Sequence, residues 1–230
     1  MGGRVNVIAI ETATPACAMA LRTSDGVERS LIVADERHHT EALTPGLREL
    51  LHEAQLVARD IDRVVVDRGP GLFTGLRVGL ATAVGLSLGA NAELVGVTSL
   101  EVLAHGASSA GVSGVVLCAV DARRGEIFVQ SFNLDDGVVA LDEPSVSIPQ
   151  VVIEAWSKRS TPVTFTGDGV ARYGAEFREV PRGVFFEQLV PSALEALRLG
   201  ATRTAEGEIT PLYLREADAV ANFSTRERLP

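Results

Sequence analysis

The sequence predicts an α/β fold of two related halves, each a mixed sheet with helices. Three observations carry this. Short β-branched apolar runs alternate with stretches of helical periodicity. Two such runs end in an acid, pass through a turn into a second strand, and reach an Asp-Gly turn: VIAIETATPACAMALRTSDG (7–26) and VLCAVDARRGEIFVQSFNLDDG (116–137). The acids Glu11 and Asp121 stand at similar distances before Asp25 and Asp136. Each half then has a strand running into glycines, VVVDRGPG (64–71) and VTFTGDG (163–169). Self-similarity at this scale reads as a duplicated unit of meander, helix and strand, with halves expected at 1–104 and 105–230.

In chain order, VNVIAIE (5–11) reads as a buried strand and ACAMALR (16–22) as its hairpin partner. The SDG turn leads to a third strand, VERSLIV (27–33). Leu43, Leu47, Leu50, Ala54 and Val57 recur at spacings of four and three, a helical seam over about 44–57. Pro45 is tolerated best near a helix start, which makes Thr44 the expected N-cap. A strand over 62–68, a helix over about 75–89 and a strand over 93–97 complete the first half. The second half opens with its own hairpin. It closes with an apolar helix near 191–201 and a tail, ITPLYLREADAVANF (209–223), expected to dock back.

The chain has 230 residues, 46% of them hydrophobic, enough for one or two cores. Its formal charge is −9, so counterion release gives it no grip on nucleic acid by itself. Cys17 and Cys118 lie inside apolar runs, the setting of buried reduced thiols rather than a disulfide framework. The opening MGGRVNVIAIETATP carries no signal-peptide pattern. The longest apolar stretch, 78–90, falls short of the roughly 20 residues of a membrane span. A soluble cytoplasmic protein without membrane contact is expected.

The segment DRGPGLFTGLRVG (67–79) sets glycines between a strand and a helix. It is not a Walker loop: the G-x-x-x-x-G-K-[ST] order is absent, and the only lysine is Lys158. Gly69, Gly71 and Gly75 miss the dinucleotide fingerprint by one residue, although Glu93 lies near the place of a ribose-binding acid. Gly71, Gly75, Gly79 and Ala83 are four apart, a strip almost without side chains, with Gly85 and Gly89 as a second series. An interior helical glycine costs about 1 kcal/mol against alanine, so close packing must offset it. Spacing alone leaves two uses open: packing on the chain's own sheet, or on a partner.

DRGPGLFTGLRVG after a strand, with IAIETAT (8–14), VDARRGEIF (120–128) and PLYLREADA (211–219) in that order, closely resembles the bacterial TsaB (YeaZ) family. The resemblance spans nearly the whole chain. Asp67 stands where the pattern has Gly, and Leu72 where it has Ser. It implies a duplicated actin-like, sugar-kinase-like fold. It also implies a non-catalytic subunit of the machinery that makes threonylcarbamoyladenosine in tRNA, paired with the catalytic subunit TsaD and served by the ATPase TsaE. TsaD pairing through the first two helices places the interface at Leu43, Leu47, Leu50, Ala54, Gly75, Leu76, Gly79 and Ala83. ATP or ADP and metal are expected on the partner subunits and none tightly bound here, with tRNA reached only through the complex. Homodimer and monomer both stay open for the isolated chain.

The alternative class is a stand-alone enzyme, a metallopeptidase or an actin-fold ATPase. The catalytic relative holds its metal with H-x-x-x-H, but four residues beyond His38 and His39 stand Ala42 and Leu43, and His52 and His105 are distant. ETATPACA (11–18) lacks glycines to close on a phosphate. Glu11, Thr12, Asp121 and Arg123 remain as a candidate vestigial anion or nucleotide cleft, against a plain surface ion pair at the last two. TGDGVA (166–171) reads equally as an adenosine-loop vestige or a simple turn.

Overall fold

A computed structural model describes residues 5–33, 39–205 and 207–215. The first sheet contains β1 (Val7–Glu11), β2 (Cys17–Arg22), β3 (Glu28–Val33), β4 (Arg63–Asp67) and β5 (Glu93–Val97), in the order β3-β2-β1-β4-β5. The second contains β6 (Val115–Arg123), β7 (Glu126–Asn133), β8 (Val139–Ala140), β9 (Ser145–Ser147), β10 (Val163–Thr166) and β11 (Gly183–Phe185). Its order is β11-β10-β6-β7-β8, with β9 also on β7. The sequence repeat is therefore a repeat of topology. In each half the first strand lies between an antiparallel hairpin partner, β2 or β7, and a parallel strand, β4 or β10.

The helices are α1 (His39–Glu53), α2 (Phe73–Ala90), α3 (Ser99–Ser109), α4 (Pro149–Ser157), α5 (Asp168–Arg172), α6 (Gly174–Phe177) and α7 (Ala193–Ala201). On one face of the first sheet, α1 and α2 bury Leu43, Leu47, Leu50, Leu80 and Ala83 against Ile8, Ile10, Met19, Val64 and Val66. On the other face, α7 packs Ala193, Ala196 and Leu197 on Val7, Ala9, Ala20 and Val65. The second sheet is covered by α3 on one side and α4 to α6 on the other. Cys17 and Cys118 are free and buried.

Three expectations are corrected. Helix α1 begins at His39, so Thr44 is an exposed residue within it and not its N-cap. Pro45 is also exposed, where water can replace the backbone bond it cannot make. Val57 lies past the end of α1, at the start of a short 3-10 turn (Ala58–Asp60). The division at 104/105 falls inside α3, a helix that joins the two sheets, and α7 returns to the first sheet. Helix α3 went unread, although Thr98 and Glu101 form a capping box: the Thr98 amide donates to Glu101 Oε2 at 2.9 Å, and the Glu101 amide to Thr98 Oγ1 at 3.2 Å.

Candidate functional site

Helix α2 has two faces of different use. Its inner face holds Gly75, Leu76, Gly79, Leu80 and Ala83, all buried. Thr12 Oγ1 donates to the Gly75 carbonyl at 2.9 Å. A Cβ at Gly75 would overlap the Thr12 carbonyl oxygen, one at Gly79 the Thr12 hydroxyl, and one at Gly71 the Ala13 carbonyl oxygen. The first glycine series thus lets α2 lie directly on the chain that leaves β1. Leu43, Leu47 and Leu50 are buried in the same core, and Ala54 packs partly buried at its edge. Seven of the eight residues expected at the interface are therefore buried by the chain itself, Ala54 being half-buried and Leu47 also reaching the edge of the groove described next.

The outer face is open. Ala81, Val84, Gly85, Leu88 and Gly89 are exposed, Leu88 to 79%. A Cβ at Gly85 or Gly89 would meet nothing within 4 Å. Beside this face Thr44, Leu47, Arg48, Leu51, His52, Leu56, Val57, Ala58, Thr82 and Leu86 line a mostly apolar groove of about 530 Å³ between α1, the 3-10 turn and α2. Sequence reasoning named Gly85 and Gly89 as a second series but missed Ala81, Val84 and Leu88; the signal available was Val84 and Leu88 four apart beside those glycines. By length and composition α2, with 18 residues, is apolar enough to cross a bilayer, but its inner face is part of the first sheet's core.

The candidate cleft residues do not form one site. Asp121 and Arg123 line a cavity of about 140 Å³ together with Gly71, Phe73 and Leu212 to Arg215. Glu11 and Thr12 are absent from that lining and are wholly buried. Ligand pockets usually run to about 300–1,000 Å³, and this cavity is smaller. Asp121 is paired with Arg123 at 3.3 Å and Arg172 at 3.1 Å. Residues 212–215 form one wall of the cavity, and the Leu212 amide donates to the Arg68 carbonyl at 2.7 Å. The Tyr213 ring lies 4.9 Å from that of Phe73, and Arg215 meets Glu126 at 2.8 Å. The tail from 209 to 215 docks as expected, and 216–223 lie outside the described residues. In the TGDG segment the Asp121 amide donates to Asp168 Oδ1 at 2.8 Å and burial raises the Asp168 pKa, while Thr166, Gly167, Val170 and Ala171 line a cavity of about 370 Å³.

His38 lies outside the described residues, and His105 Nδ1 sits 2.7 Å from Glu195 on α7. Among the described residues no three His, Cys, Asp or Glu side chains gather as metal donors. Burial pushes the Cys17 thiol up to about 11 and raises Cys118 well above the usual thiol range, the opposite of an activated nucleophile.

Residues 33–171 match the model of the family described as TsaD, tRNA N6-adenosine threonylcarbamoyltransferase. The chain is 32% identical over 222 residues to the tRNA threonylcarbamoyladenosine biosynthesis protein TsaB of Escherichia coli, covering 92% of this chain and 95% of that protein. The chain belongs to the TsaB family, within the wider family that the TsaD model describes. YeaZ from Pseudomonas aeruginosa has the same architecture, with a TM-score of 0.78 at 26% identity, over 91% of this chain and all of that one. A Bacteroides thetaiotaomicron protein with an actin-like ATPase fold aligns at a TM-score of 0.51 and 12% identity, over 87% of this chain and 97% of that one. That likeness concerns the fold alone. The fold of this TsaB-family chain is thus actin-like and duplicated.

Proposed function

We propose that the chain is a non-catalytic subunit of the cytoplasmic machinery that makes N6-threonylcarbamoyladenosine in tRNA, and that it docks a TsaD subunit through the outer face of α2 and the adjoining groove. The observation that supports this most is the exposed run Ala81, Val84, Gly85, Leu88 and Gly89. An apolar helical stripe with bare positions suits close helix-on-helix packing. It continues into the groove beside α1, so both helices named by the family resemblance contribute, though by their outward residues. In this reading nucleotide and metal sit on the partner subunits, TsaE completes the assembly, and tRNA is met only through the complex. Leu88→Glu tests it. Leu88 is 79% exposed, so the lone chain should keep its thermal midpoint. TsaD binding measured by calorimetry should fall at least tenfold, as for a central apolar anchor. Unchanged TsaD affinity would remove the outer face of α2 from the interface.

A further inference from the structure

Glu11 ends β1 and Asp67 ends the parallel neighbour β4, one step beyond the Ile10–Val66 pair. Their carboxyls meet in the core at zero exposure. Glu11 Oε1 accepts from the Ala13 amide at 2.8 Å. Asp67 Oδ1 accepts from the Gly69 amide at 2.7 Å and from the Ser99 hydroxyl at 3.0 Å. The remaining oxygens, Glu11 Oε2 and Asp67 Oδ2, are buried and find no donor if both groups are carboxylates. Yet the two carboxyls, at the ends of neighbouring parallel strands, act on one another as a hydrogen-bonding pair. Two acceptors pair only if one carries a proton, and a single proton satisfies both oxygens at once.

We propose that Glu11 and Asp67 form a buried proton-binding site which keeps one shared proton at neutral pH and, on losing it, loosens the 67–72 turn and the tail strap that the turn holds. The connection is short. The Asp67 carboxyl holds the Gly69 amide, the Gly69 carbonyl accepts from the Ser99 amide at 3.0 Å, and the Arg68 carbonyl accepts from Leu212. A second negative charge in this space is shut off from bulk water, so the carboxyls must part, and Asp67 carries the turn with it. The surrounding groups act in both directions: the Gly69 amide and the Ser99 hydroxyl favour the Asp67 carboxylate, and the charge of Glu101 disfavours it. β1 contributes Glu11, β4 contributes Asp67 and the turn brings half-buried Arg68. α3 brings Ser99 and the Glu101 carboxylate, itself held by Arg203 at 2.7 Å. Burial, and for Glu11 also the charge of Asp67, raises both carboxyls above their ordinary range.

Infrared spectroscopy of the full chain at pH 7 reads the proton directly. A protonated-carboxyl C=O band is expected in the wild type and its loss in Glu11→Gln and in Asp67→Asn. A wild-type spectrum without that band overturns the site even if either variant fails to fold. Hydrogen exchange at the Leu212 amide, corrected for the intrinsic pH effect, reads the coupling. Its opening constant should rise by up to tenfold per pH unit as pH climbs toward the pair's ionisation in the folded wild type and level off above it, and stay flat in Glu11→Gln or, should that variant not fold, in Asp67→Asn. Equal pH dependence in the wild type and the folded variant overturns the release of the strap.

Discussion

Thr12 and Gly75 are locked together: the Thr12 hydroxyl donates to the Gly75 carbonyl at 2.9 Å, and a Cβ on Gly75 would strike the Thr12 carbonyl oxygen. This relationship settles which way the glycine strip faces. It predicts that Gly79→Leu, one turn further along the same face, damages the chain itself. Overpacking a buried contact costs about 1–3 kcal/mol, which for a chain of this size lowers the thermal midpoint by several degrees. A midpoint equal to wild type, with TsaD binding lost, would return Gly79 to the partner surface.

Gly85 should behave in the opposite way. Its added Cβ meets nothing within 4 Å. Replacing an unconstrained helical glycine by alanine stabilises by about 0.4–1 kcal/mol, so Gly85→Ala should raise the midpoint by roughly 1–4 °C. If a partner helix approaches there, Gly85→Leu should weaken TsaD binding while leaving the lone chain folded. Calorimetry of both variants checks the pair of outcomes.

Stability should depend on pH through Glu11 and Asp67. Both are raised by burial in the folded chain, whereas unfolded carboxyls ionise near pH 4. Between those values the folded state holds a proton that the unfolded state has released. The pair's contribution is therefore complete below about pH 4 and declines as pH rises through the folded pKa, by about 1.4 kcal/mol per pH unit. Glu101 acts with the other sign: it is partly desolvated, but Arg203 outweighs this and lowers its pKa, so its contribution is lost as pH falls. Glu11→Gln, whose amide donates to Asp67 at every pH, should flatten the alkaline decline in chemical-denaturation curves and leave the acid limb in place.

The two thiols should be silent in the native state. With Cys17 near 11 and Cys118 raised further by burial, a thiol reagent at pH 8 should label neither until denaturant is added. Rapid labelling of Cys17 without denaturant would show that its strand opens.

Sequence and structure divide along the range of the interactions. By itself the sequence determined the repeated strand pattern, the two Asp-Gly turns and the acid that closes β1, because strand periodicity and turn chemistry act over a few residues; β6 runs two residues past Asp121 to Arg123. It also determined the family, through four motifs in order. It did not determine which face of α2 is buried. Small and apolar residues occupy both sides of that helix, Gly75, Gly79 and Ala83 on one and Ala81, Val84, Gly85 and Leu88 on the other, so spacing fits either choice. The approach of α2 to Thr12 and Ala13, some sixty residues away in the chain, made that choice by excluding any side chain from the first face. The same holds for Glu11 and Asp67. Each is legible as an acid after a strand, but only the parallel register of β1 and β4 brings them into one dry space, where they can hold a proton that neither would keep in water.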